Sequence, residues 1–200
     1  MERASPQVHR IITLSSGLSR GSNLLAIHRY FQKESLPIQI AYAVFSNPQA
    51  QAIANANAEG ISSLVIPIRD PQLFEERVLS LIKTQDISLV ALCGFMKKVS
   101  ADFIRKARVP ILNIHPALLP KFGGKGMYGT AVHEAVFKAG EKLSGATVHL
   151  VDEEYDRGAI IRQESIDIGF CSSPEMIASA VLEIEHKIYG PSIRQILLSR

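Results

Sequence analysis

Val109-Pro110-Ile111-Leu112-Asn113-Ile114-His115-Pro116 is the stretch on which the reading of this chain turns. Its apolar residues read as a short buried strand, Ile111–His115, and two polar residues interrupt it. Side chains two apart on a strand share a face, so the Asn113 amide and the His115 imidazole point the same way. Pro116 cannot donate to a sheet ladder, so the strand stops there and leaves both groups at its carboxyl end. Burying two polar side chains without partners costs about a few kcal/mol, so they must face something that needs them.

Working outward, apolar runs alternate with helix-spaced patterns. Strands are predicted at Arg10–Leu14, Ile38–Phe45, Ser63–Ile68, Leu89–Cys93, Ala146–Val151 and Ala159–Ser165. Helices are predicted at Asn23–Gln32, Gln49–Glu59, Gln72–Lys83, Ser100–Lys106 and Thr130–Lys138, and a last long one opens at Ser173-Pro174-Glu175 with Ser173 as N-cap. Pro71 suits the first turn of its helix, where no N–H is needed. This alternation predicts an α/β fold with a mostly parallel central sheet of about seven strands flanked by helices. Neither a repeat nor a low-complexity segment divides the 200 residues, and one domain is expected. Lys121–Gly129 refuses any regular element. Its four glycines suggest either a mobile lid beside a catalytic strand or a plain surface connection.

Composition excludes several classes. An apolar content of 46% supports a sizeable core, whereas a net charge of +3 with no basic run beyond Lys97-Lys98 argues against nucleic-acid binding. Apolar stretches such as Leu89–Cys93 are too short to span a bilayer, and Met1–Pro6 lacks the apolar core of a secretory signal. Cys93 and Cys171 form no disulfide framework and no metal spacing, so a cytoplasmic setting and no metal are expected.

The first strand runs into Leu14-Ser15-Ser16-Gly17-Leu18-Ser19-Arg20-Gly21-Ser22-Asn23, a glycine-containing turn at a helix start. Such a turn favours an anion, although an ordinary capped turn has the same look. It is no Walker loop, and Phe45-Ser46-Asn47 ends the second strand without an acid for a dinucleotide ribose. Phosphate binding without a nicotinamide cofactor is the favoured reading. In an open sheet the turn, the end of Ile111–His115 and the loop Asp152–Gly158 can meet at one edge. An amide donor, an imidazole and the carboxylate of Asp156 suit attack of an amine on a carbonyl carbon. No serine or cysteine sits in a nucleophile elbow, so direct transfer is more natural than a covalent intermediate. Each residue also has a plainer reading, as a satisfied core histidine or a solvated loop acid.

From near residue 10 to near residue 195 the chain resembles the phosphoribosylglycinamide formyltransferase family. The resemblance rests on Gly21-Ser22-Asn23, Ala43–Asn47, Gly94-Phe95-Met96, Asn113–Pro120, Gly145–His149, Asp156-Arg157-Gly158 and Glu185–Tyr189, in matching order and spacing. It implies a Rossmann-like formyltransferase fold, with a nucleotide-phosphate half over about 10–110 and a catalytic and folate half over about 111–200. Formyl transfer from 10-formyltetrahydrofolate to glycinamide ribonucleotide would follow. Asn113, His115 and Asp156 would then be catalytic, with His149 supporting them. Gly21, Ser22 and Asn23 would hold the phosphate and Glu185 the ribose. Met96, Lys97, Lys98, Val99, Asn113 and Asp152 would bind the folate. The partners expected are small-molecule substrates, and the assembly a monomer or weak homodimer.

Three positions depart from the family's pattern. Extra residues stand around Leu18-Ser19, and Lys98 replaces an apolar residue at the folate pocket. Pro71 occupies the place of an arginine that often grips the folate glutamate, and Arg69 is a candidate substitute. A 10-formyltetrahydrofolate hydrolase and a tRNA-directed relative are alternatives, but both usually carry a further module for which little chain is left. A nucleotide- or folate-binding module without catalysis is the non-enzyme alternative. Retention of the whole trio speaks against it.

Overall fold

The computed structural model describes residues 7–17 and 20–199. Leu18 and Ser19, where extra residues were expected in the first turn, lie outside the described residues, as does Met1–Pro6. Seven strands form one sheet in the order β3-β2-β1-β4-β5-β6-β7. They are β1 (His9–Ser15), β2 (Ile38–Phe45), β3 (Ser63–Val65), β4 (Ile87–Leu92), β5 (Ile111–His115), β6 (Leu143–Leu150) and β7 (Ile160–Asp167). The first five run parallel, and β6 and β7 each run antiparallel to the strand before. The expected fold class is therefore the observed one.

The helices are α1 (Ser22–Lys33), α2 (Gln51–Ala58), α3 (Pro71–Thr84), α4 (Ala101–Ala107), α5 (Thr130–Lys138) and α6 (Pro174–Leu198). Strand residues alternate between two apolar layers. Ile11, Phe45, Leu112 and Ile114 pack with α1, α2, α5 and α6, while Ile12, Leu14, Val90 and Ile111 pack with α3 and α4. Ile111 faces the α3–α4 side, so Asn113 and His115, two and four residues later, continue that face past the end of its helical cover.

Boundaries differ from expectation where local chemistry intervenes. β3 stops at Val65 rather than Ile68, because Pro67 cannot extend the ladder. β6 starts at Leu143, three residues early, because Gly145 lets β7 approach. A Cβ there would overlap the Glu164 carbonyl oxygen. α2 starts at Gln51 rather than Gln49, since the Asn47 side chain accepts from the Gln49 N–H and holds a turn. Asp70, Ser100 and Ser173 cap α3, α4 and α6, and Pro71 and Pro174 lie in first turns as their sequences predict. Among the described residues no helix is long and apolar enough to cross a membrane.

Candidate active site

Beyond the carboxyl ends of β1, β4 and β5 opens a cleft of about 690 Å³. Gly21, Ser22, Asn23, Met96, Lys97, Lys98, Val99, Asn113, His115, His149, Asp152, Asp156 and Glu185 all line it. Arg69 does not line it, so the substitution suggested for the arginine missing at Pro71 has no support in the geometry.

At one end, Gly21 is the N-cap residue of α1, in the left-handed region at φ 78°. An alanine there would be strained, and its Cβ would lie 2.8 Å from that of Ala52. Unlike α3, α4 and α6, helix α1 has no side chain capping its start, and its first turn carries no acid. Its N-terminal dipole favours an anion in the cleft. The Asn23 amide donates to the Glu185 carboxylate at 2.5 Å, joining α1 to α6. Burial pushes the Glu185 carboxyl up to about 7, against the opposing effect of the Asn23 donor. One turn further along α6, the buried Tyr189 hydroxyl donates to the Leu92 and Leu112 carbonyls at 2.9 and 3.0 Å. That bond pins α6 to β4 and β5 and so fixes where Glu185 stands.

At the centre, antiparallel register sets Asn113 opposite His149 and His115 opposite Thr147. His149 Nδ1 lies 2.9 Å from the Leu150 carbonyl, which assigns its proton to that nitrogen. Nε2 is then the acceptor for the Asn113 amide at 3.1 Å. Asp156, at φ 55°, turns its carboxylate between two imidazoles, 3.6 Å from His115 Nδ1 and 3.6 Å from His149 Nε2. Burial alone would raise the Asp156 pKa. His149, the Gly124 N–H and His115 outweigh it and hold the carboxyl below the usual range. Burial likewise drives the His115 pKa down, and the Asp156 charge only partly restores it. The result is an ionised acid beside an imidazole that favours its neutral form.

Lys121–Gly129, expected as a mobile lid or a plain surface connection, is tied to these groups through its backbone. His115 Nε2–H donates to the Phe122 carbonyl at 2.7 Å, and the Gly124 N–H donates to Asp156 Oδ2 at 2.8 Å. Sequence reading missed both partners, because main-chain groups leave no residue-type signal. It also missed His133 on α5, which lines the cleft. A polar residue between Val132 and Val136 on the buried face of that helix was the available clue.

The third region is apolar, with Phe95, Met96, Val99 and Val151 along its wall. Phe95 stacks on Phe74 at 5.6 Å between ring centroids, and the Ser16 hydroxyl accepts the Met96 N–H at 2.7 Å. Lys98 is exposed and places its ammonium 4.9 Å from the Tyr155 ring centroid. No cluster of potential metal ligands occurs among the described residues. Cys93 is buried with its thiol pKa pushed up, chiefly by desolvation, which leaves it a poor nucleophile.

A sequence model of the formyl transferase family matches residues 9–193. The chain belongs to that family. Among its relatives, the phosphoribosylglycinamide formyltransferase of Bacillus subtilis (strain 168) is 34% identical over 180 residues, which cover 88% of this chain and 90% of that one. The chloroplastic phosphoribosylglycinamide formyltransferase of Arabidopsis thaliana is 36% identical over 84% of this chain, which spans only 59% of the plant protein's length. The match to the Vigna unguiculata protein of the same name spans 55% of that protein. The crystal structure of phosphoribosylglycinamide formyltransferase from Anaplasma phagocytophilum superposes with a TM-score of 0.83 at 32% identity, covering 94% of this chain and 85% of that one.

Proposed function

We propose that the protein transfers the formyl group of 10-formyltetrahydrofolate to the amine of glycinamide ribonucleotide. One observation carries the reading. Asn113, His115, His149 and Asp156 converge at a strand end between the start of α1 and an apolar slot within a single cleft. The N-terminal end of α1 suits the nucleotide phosphate, and Glu185 suits the ribose hydroxyls. The slot along Met96, Val99 and Val151 suits a flat pterin, with Asp152 at its edge. Both ligands draw on both halves of the chain, since Met96–Val99 precede β5 and Glu185 follows it.

The chemistry follows from the donors and acceptors present. The amine attacks the formyl carbon, a C–N bond forms, and negative charge builds on the formyl oxygen. Asn113 commits one amide N–H to His149 and retains a second for that oxygen. The His115 Nε2–H is held by the Phe122 carbonyl, so His115 works through Nδ1, on the Asp156 side. Ionised Asp156 accepts the amine's proton, with His115 Nδ1 close enough to share it. Collapse of the adduct breaks the bond to N10 of the folate, and the proton passes to that nitrogen. Atoms and charge then balance without a covalent enzyme intermediate.

The test is consumption of glycinamide ribonucleotide by the purified chain when supplied with the folate donor. Asp156→Asn should lose turnover by a factor of about 100 or more while still binding both ligands. Wild-type protein that leaves the nucleotide unformylated would sink the proposal, and formate release in its absence would mark a hydrolase instead.

A further inference from the structure

Lys98 and Tyr155 line the cleft from two different loops, and both are exposed. The loop of Lys98 is anchored at both ends. The Ser16 hydroxyl holds the Met96 N–H, and Glu75 accepts from both the N–H and the hydroxyl of Ser100. Between those anchors Val99 is buried, so Lys97 and Lys98 are presented outward from a fixed base. The facing loop is braced too. The Glu154 N–H bonds to the Asp152 side chain at 3.0 Å, and Glu153 meets Arg105 of α4 at 2.9 Å.

The pairing between these loops is unusual for its charges. Three acids, Asp152, Glu153 and Glu154, precede Tyr155, yet Lys98 forms an ion pair with none of them. Glu153 is taken by Arg105, and Glu154 lies 3.4 Å from Arg157. The ammonium lies over an aromatic face instead, which steadies it without neutralising its charge. Lys97, one residue earlier, also has no carboxylate partner among the described residues. Two cations without an ion-pair partner among the described residues therefore line the exposed side of the cleft. The geometry points to Lys98, positioned by the Tyr155 ring, as a specificity determinant for a donor whose protruding tail carries several carboxylates.

This inference rests on the proposed folate-binding role of the slot. A tail that gains γ-linked glutamates gains negative charge as it lengthens. A held ammonium attracts that charge more than a freely moving one would, because less rotamer freedom is lost on contact. The attraction operates at the surface and is screened within about 10 Å at 0.1 M salt. A modest effect is expected, about three- to fivefold per neutralised cation.

Binding, rather than turnover, separates this idea from the transfer activity itself. Fluorescence titration with 5-formyltetrahydrofolate bearing one or three glutamates gives a ratio of dissociation constants. Wild type should bind the triglutamate about three- to tenfold more tightly at low salt, with the preference shrinking as salt rises. Lys98→Met and Tyr155→Leu should each pull that ratio toward one, whereas Tyr155→Phe, which keeps the ring, and Lys98→Arg should preserve it. An equal affinity of wild type for the two folates would overturn the inference, as would a ratio unmoved in Lys98→Met. Loss of the ratio in Tyr155→Phe as well would refute the ring's part in it. Failure of wild type to bind either folate would remove the proposed function along with it.

Discussion

Asn113 shows how much a single residue can carry. Its amide is held by His149 across the β5–β6 ladder, so the free N–H is aimed before any substrate arrives. Asn113→Ala should cut kcat by a factor of about 100 to 1000, as measured by steady-state kinetics. Glu185 offers a test that needs no substrate. Its carboxyl titrates near 7 in the folded protein against 4.5 for the free group, so the native state holds a proton that the unfolded chain releases. Stability from this source is complete below pH 4.5 and is lost as pH rises through about 7, a change on the order of 3 kcal/mol. Thermal melts of Glu185→Gln should therefore lose less stability than wild type between pH 5 and pH 8. Parallel melting curves for the two proteins would contradict the assignment. The family resemblance suggests Glu185 as a nucleotide contact, but its protonation depends on burial by neighbours from other elements.

At the scale of elements, the site is set by how α6 and β6 dock. The Tyr189 hydroxyl bridges to the ends of β4 and β5 in a fully buried setting. Tyr189→Phe should cost about 1–3 kcal/mol, because buried carbonyls lose a donor. Raised KM for the nucleotide with a smaller effect on the folate would show that the bond also positions Glu185. β6 depends on Gly145 in a different way, since any side chain there meets the β7 backbone. Gly145→Ala should separate β6 from β7 and lower the melting temperature by several degrees, read by circular dichroism. Element existence was legible throughout, because each strand and helix has its own apolar period. Ends were less so. Pro67, Asn47 and Gly145 shift them through local chemistry, and that of Gly145 involves a partner strand distant in sequence.

For the whole molecule, the cleft exists because the parallel order places β1 and β4 side by side and β5 next to β4, with their carboxyl ends together. Residues from Gly21 to Glu185 then share one wall. A ligand bridging them should stabilise the entire fold, by about 2.7 kcal/mol at a concentration of 100 times Kd. Glycinamide ribonucleotide should accordingly raise the melting temperature of wild type but not of Gly21→Ala, whose Cβ would crowd Ala52 at the mouth of the anion site. An equal rise in both would show that the phosphate binds elsewhere. The sequence by itself determined the α/β class and singled out candidate site residues that the fold then gathers in one cleft. Apolar periodicity and residue type are local properties, and they survive without a fold. Only the tertiary structure decided that Phe122 and Gly124 bind His115 and Asp156 through their backbones, that Glu185 holds its proton near neutrality, and that Lys98 lies on Tyr155. Those outcomes depend on distance and desolvation between groups far apart in the chain, and such quantities come into being only when the chain has packed.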